Sequence, residues 1–156
     1  MVFAKLYGAK EVYGVDINPI AVLNSKLNAE LHRRNIKITQ GDVFSTIPNG
    51  KSFDYIYWNV PFGLISEDHS ITDLQKSVFD PGYKSIINFF KNSQLHLSTE
   101  GSLLVGFSDT LGDLRKLLEI ATNYGYTECR KINSLQTTEY HAVTMDMYEF
   151  KLAKQS

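Results

Sequence analysis

The chain of 156 residues reads as an α/β domain, a largely parallel sheet with helices on both faces and an antiparallel strand pair at its C-terminal end. Three observations predict this. Short β-branched or aromatic runs alternate with longer segments whose apolar residues recur every three to four positions. Cap and stop residues punctuate the boundaries, as at Asn18-Pro19 and Gly125. The last two apolar runs follow each other with no helical pattern between them, which favours antiparallel pairing.

Taken in order, "MVFAKLYGAK" carries Phe3, Leu6 and then Gly8 and reads as the tail of a helix. Residues 12–17 form a β-branched run that ends at Asn18, a good helix cap, with Pro19 at home in the first turn. Ile20, Leu23, Leu27 and Leu31 make one apolar stripe expected to pack on a sheet, in a helix that stops near Asn35. "IKITQGDVF" predicts a second strand leaving into a Gly-Asp turn, and "FDYIYW" a third. Tyr55 and Tyr57, alternating with Ile56 and Trp58, suit a strand buried on both faces. Residues 63–80 show no period and predict a long loop, with Glu67, Asp68 and His69 solvated. A helix opened by Pro81, a buried strand "GSLLVGFS" and a helix carrying Leu114, Leu117, Leu118 and Ala121 follow. The final strands lie near residues 126–132 and 143–152, with Glu139, Tyr140 and His141 at the turn between them.

Composition predicts a single soluble domain over residues 1–156, since 43% hydrophobic and 21% charged content can bury a real core. A net charge of −1 gives no global attraction to polyanions, although Lys26, His32, Arg33, Arg34 and Lys37 could form a local basic patch. The lone Cys129 can form neither an internal disulfide nor a thiolate metal site, and is expected as a small half-buried hydrophobe in a reducing compartment. No apolar run is long enough to span a membrane and no secretory signal opens the chain, so a cytoplasmic protein with no membrane partner is expected. His32, His96 and His141 lack metal-ligand spacing, and no metal is expected.

In parallel α/β sheets ligands sit at the carboxyl ends of the strands. Asp16, Asp42 and Asn59 stand at three successive strand ends. Singly, each has a plain explanation: a favourable charge at a helix start, a turn residue beside Gly41, a cap before Pro61. Together they mark a candidate site, on the expectation that those ends converge.

"VYGVDINPIAVLNSKLNAELH", "GDVF" and "FDYIYWNVPFG" resemble the class I S-adenosylmethionine-dependent methyltransferases with a Rossmann-like sheet. The resemblance is to the branch with an Asn-Pro-Pro-Tyr motif, such as the release-factor glutamine methyltransferases and related adenine or guanine N-methyltransferases. It follows nearly the whole chain in element order, and those three stretches are the distinctive ones. It implies that Asp16 takes the cofactor's ribose hydroxyls with Ile17 on the adenine face, and that Asp42 meets the adenine amino group beside the Val43 backbone. Asn59, Val60, Pro61 and Phe62 would be the catalytic tetrapeptide, with Asn59 also bordering the cofactor. A planar NH2 is a poor nucleophile because its lone pair is delocalised. Two acceptors, the Asn59 side-chain oxygen and the Val60 carbonyl, would turn that lone pair toward the sulfonium methyl without a strong base or a metal. Val60 replaces the family's proline but keeps the carbonyl, and Pro61 biases Val60 toward extended backbone. Phe62 replaces tyrosine and keeps a ring that can stack on a flat substrate.

A glycine-rich turn after a first strand is expected about 20 residues before the ribose-binding acid, and counting back from Asp16 runs off the chain. The expectation is a sheet without its central first strand, from a truncated product or one completed by rearrangement or by another chain. Two readings follow. One is an N-methyltransferase whose substrate is a protein glutamine, a nucleic-acid base or a small-molecule amine. The other is a non-catalytic module on the same scaffold that self-associates through the exposed central strand edge.

Overall fold

The computed structural model of the chain describes residues 1–72, 74–136 and 143–153. They fall into two compact units, Met1–Asn49 and Gly50–Ser156.

The first unit runs α1 (Val2–Leu6), β1 (Tyr13–Asp16), α2 (Pro19–Leu31) and β2 (Lys37–Gln40). β1 and β2 form a two-stranded parallel sheet with Asp16 opposite Gln40. The chain leaves β1 through the expected cap: the Asn18 side chain accepts from the Ile20 backbone N–H at 2.8 Å, and Pro19 occupies the first turn. The helix stops at Leu31, earlier than its sequence pattern implied, and Arg33 beyond it takes a left-handed φ of 50°. Its packing face also corrects the sequence reading. Ile20, Leu23, Leu27 and Leu31 are exposed, and Val22 and Ala29 are buried with Ile38. The helix turns its small residues inward, and small side chains let a helix approach a two-stranded sheet closely. The larger stripe, although at proper helical spacing, lies on another face.

The second unit contains a four-stranded mixed sheet in the order β3-β6-β8-β7. β3 (Phe53–Asn59) pairs in parallel with β6 (Leu97–Phe107), which pairs antiparallel with β8 (Thr144–Leu152), and β8 with β7 (Tyr126–Gln136). The antiparallel end is as the sequence implied. The turn expected at Glu139, Tyr140 and His141 lies outside the described residues.

Helices α3 (Lys84–Ser93) and α4 (Leu114–Asn123) accompany this sheet. The core is aromatic: Phe90 meets Phe150 at 5.3 Å and Tyr126 at 5.4 Å between ring centroids, both edge-on, the arrangement that ring quadrupoles favour. Tyr126 brings its hydroxyl to 2.6 Å from Ser93 Oγ, so neither buried oxygen lacks a partner. α4 starts at Asp113, whose side chain accepts from the Lys116 N–H, and stops before Gly125, at φ 80°.

Four expectations in this unit are corrected. β3 is not buried on both faces: Ile56 is buried and Trp58 packs on Phe89 at 5.0 Å, while Tyr55 and Tyr57 are exposed. The stretch 63–80 is not structureless. Gly63–Ile65 (β4) and Phe79–Pro81 (β5) pair in parallel, with a 3-10 turn at Gln75–Ser77. Pro81 therefore belongs to β5, and α3 starts three residues later. Tyr83 stands at the N-cap without a side-chain cap bond, and buried Asp80 accepts instead from the Ser85 and Ile86 N–H groups at 3.1 and 3.0 Å. Cys129 also departs from expectation, lying exposed on β7 rather than half-buried.

Candidate functional site

The first unit holds one group of candidate residues. Asp16 ends β1 and Asp42 follows β2, and the two strand ends are tied because the Gly41 N–H donates to the Asp16 carbonyl at 3.0 Å. Asp16 uses one carboxylate oxygen locally, accepting from the Asn18 N–H at 2.8 Å. Its other oxygen has no hydrogen bond among the described residues. Asp42 builds its turn through the backbone alone: its N–H donates to Ser45 Oγ at 2.9 Å and its carbonyl accepts from the Ser45 N–H at 2.8 Å. The exposed Asp42 carboxylate is thus not consumed by the turn. Val43 beside it sits at φ 46°. A β-branched residue in the left-handed region is strained, and such strain collects at ligand-binding turns. Ile17 is 63% exposed, an apolar surface next to Asp16.

The second unit holds the other group. Asn59 is the last residue of β3 and pairs with Gly106 of β6. A Cβ on Gly106 would lie 2.0 Å from Asn59 Oδ1, so the carboxamide rests directly over the glycine. That carboxamide has no hydrogen-bond partner among the described residues. Val60 is buried and its N–H donates to the Gly106 carbonyl at 3.2 Å. Among the described residues no donor reaches the Val60 carbonyl, an exception for so buried a segment. Pro61 is buried, and the half-buried Phe62 ring stands edge-on to Phe107 at 6.4 Å and 77°. The Phe62 carbonyl accepts from the Tyr83 hydroxyl at 2.7 Å.

Asp16 and Asp42 are therefore brought to neighbouring ends of one sheet, and Asn59 to Phe62 form a turn at the carboxyl end of another strand. Sequence reasoning missed Gly106 and Tyr83. Gly106 carried a signal, a lone glycine inside an apolar strand, which marks close approach of another group. Tyr83 carried none, because its place depends on a turn at residues 80–83 that the apolar pattern does not reveal.

His96, scattered in sequence, is buried with Nδ1 at 2.9 Å from the Lys51 carbonyl, a structural role. Among the described residues no helix is long and apolar enough to cross a membrane.

The family model described as the methyltransferase small domain matches residues 1–134. The chain belongs to that family. One curated relative and two solved structures show what parts of the chain are similar to. A candidate protein N5-glutamine methyltransferase of Methanocaldococcus jannaschii is 44% identical over 75 residues, which take in 48% of this chain and 37% of that protein. The chain thus spans well under half the length of this relative. The crystal structure of a ribosomal protein L11 methylase from Lactobacillus delbrueckii subsp. bulgaricus superposes with a TM-score of 0.64 at 14% identity, over 96% of this chain and 63% of that one. A candidate methyltransferase solved in complex with SAH gives a TM-score of 0.65 at 12% identity, over 95% of this chain and 41% of that one. At such identities the structural neighbours speak for the fold, the Rossmann-like α/β sheet of the family.

Proposed function

We propose that the chain forms the core of an S-adenosylmethionine-dependent N-methyltransferase acting on a planar NH2 group, with a protein glutamine as the foremost substrate. The observation that carries this is the Asn59-Val60 pair: a carboxamide seated over Gly106 and a backbone carbonyl beside it, neither with a hydrogen-bond partner among the described residues. Two adjacent idle acceptors at a strand's carboxyl end match the two N–H groups of an amide or exocyclic amine. Held by both, the nitrogen has its lone pair directed away from the acceptors. Pro61 fixes the backbone that carries them, and the Phe62 ring offers a flat apolar face.

The first unit suits the cofactor. The idle oxygen of Asp16 is an acceptor for ribose hydroxyls, the Asp42 carboxylate one for an adenine amino group, and exposed Ile17 and strained Val43 frame them. When bound, S-adenosylmethionine supplies a sulfonium-activated methyl as the electrophile. The chain's own contribution is orientation and preorganised dipoles, which need no strong base. The complex of a structural neighbour with SAH, the product left after methyl transfer, supports this cofactor. The name of the M. jannaschii relative supports glutamine over a nucleic-acid base or a free amine.

Titration calorimetry with S-adenosylmethionine, followed by methyl transfer to a glutamine peptide and to an adenine-containing oligonucleotide, tests the reading. Asn59→Ala should lose about 10²- to 10³-fold in transfer rate, far more than it loses in cofactor affinity. A folded chain that gives no heat, or an Asn59→Ala variant that transfers at the parent rate, would overturn it.

β3 pairs with β6 alone among the described residues, and an unpaired edge favours a second reading, a non-catalytic module that self-associates there. Light scattering separates the two: a folded monomer that binds S-adenosylmethionine excludes the module.

A further inference from the structure

Tyr83 sits where its backbone is strained and its side chain is fully used. Its φ is 56°, following Gly82 at 62°, and a bulky residue held there persists only when its surroundings over-determine it. It is completely buried. Its ring meets Phe107 edge-on at 6.4 Å, the same ring that meets Phe62 at 6.4 Å. Its hydroxyl donates to the Phe62 carbonyl at 2.7 Å and accepts from the Asp113 N–H at 2.9 Å. Asp113 in turn caps α4 through its side chain. One phenol thus ties the far end of the Asn59–Phe62 turn to the starts of both helices, while the Val60 N–H bond to Gly106 ties its near end.

We propose that Tyr83 is a positioning residue for the methyl-accepting turn, acting through the Phe62 carbonyl rather than by touching substrate or cofactor. The proposal rests on the reading of Asn59 to Phe62 as the amine-gripping segment. The physical case is a division of labour. Val60 and Pro61 are buried and Phe62 only half-buried, so packing holds the near part of the turn more fully than its far end. A hydrogen bond in a dry setting fixes distance and direction, and the shared hydroxyl links that bond to α4, which packing on β7 holds in place. Strain at φ 56° is consistent with the hydroxyl being placed by function as well as by folding. A buried phenol needs hydroxyl partners in any role, so what marks positioning is which partners these are: the carbonyl of Phe62 and the N–H of the residue that caps α4.

Hydrogen exchange on the full chain tests this without any activity. In Tyr83→Phe the Val60 and Gly63 amides should exchange at least about tenfold faster, while the Leu103 and Val105 amides in β6 keep their protection. Equal acceleration at all four positions would make Tyr83 a stability residue only, and no acceleration would overturn the proposal outright. Should the variant not fold, the parent decides: under mild denaturant the Val60, Gly63 and Asp113 amides should open together with one denaturant dependence, and independent opening overturns the proposal. On the catalytic side, Tyr83→Phe should lower kcat about tenfold and leave cofactor affinity unchanged. If the parent neither binds S-adenosylmethionine nor transfers methyl, the functional reading fails and the exchange data still decide the anchoring of the turn.

Discussion

The two units carry their candidate residues on very different supports. In the first, Asp16 and Asp42 rise from a two-stranded sheet whose core is Val22, Ala29 and Ile38, with Ile36 packed against it. In the second, Asn59 to Phe62 rise from a four-stranded sheet backed by interlocked rings at Phe89, Phe90, Tyr126 and Phe150. The difference fits the chemistry proposed for each. Accepting hydrogen bonds from hydroxyl and amino groups tolerates some motion, since water or a rotated carboxylate can restore them. Aiming a delocalised lone pair does not, because a misplacement of about 1 Å can cost on the order of 10²-fold in rate.

Four experiments break or sharpen that contrast, in descending order of effect. Phe90→Ala opens the aromatic core and should cost about 3–5 kcal/mol, read by urea unfolding. Exchange along β6 should collapse while that along β1 and β2 survives, and joint collapse would show a single cooperative fold. Gly106→Ala should leave the melting temperature within a few degrees, because the atom struck is the end of a movable side chain. Methyl transfer should nevertheless fall by about 10²-fold, as Asn59 loses its seat; unchanged transfer would mean that the seat is unimportant.

Asp80→Asn tests the frame through pH. Burial holds the Asp80 carboxyl above its ordinary value of 3.8, against the lowering effect of the Ile86 and Ser85 N–H bonds. A folded-state pKa that is raised means a contribution fully present below the unfolded value and lost as pH rises through the folded one. The parent should therefore lose stability over that interval relative to Asp80→Asn, whose amide oxygen keeps one of the two acceptors that Asp80 offers the Ser85 and Ile86 N–H groups. Melting curves at several pH values check this; parallel pH profiles would deny the shift. Smallest of all, Leu27→Gln should change stability by no more than about 0.5 kcal/mol, since Leu27 is exposed. A loss of about 2 kcal/mol or more would mean that the stripe is covered in solution.

That last variant marks where sequence reasoning reached its limit. Period identifies a helix, and α2 is where the period put it, yet period alone chose the wrong face. Ile20, Leu23, Leu27 and Leu31 outweigh Val22 and Ala29 in hydrophobicity, but small residues were what a close helix–sheet contact required. The loop reading of residues 63–80 failed for a related reason. β4 and β5 are three residues each, too short to show alternation, and they exist by pairing with each other. Asp16, Asp42 and Asn59 were legible because strand ends are local events, marked by an apolar run stopping at a polar residue.

By itself the sequence determined the alternation of strands and helices, the cap at Asn18-Pro19, the antiparallel finish and the positions of the strand-end polar residues. All of these are written in spacing and in the conformational limits of Asn, Pro and Gly within a few neighbours. Only the tertiary structure decided that Asn59 lies over Gly106, that Asp80 caps a helix it does not adjoin, and that Tyr83 ties Phe62 to Asp113. These pairs are separated by 47, 5 or 6, and 21 to 30 positions. Close contact and hydrogen-bond direction between such groups arise only once strands and helices have packed, and no local pattern encodes them.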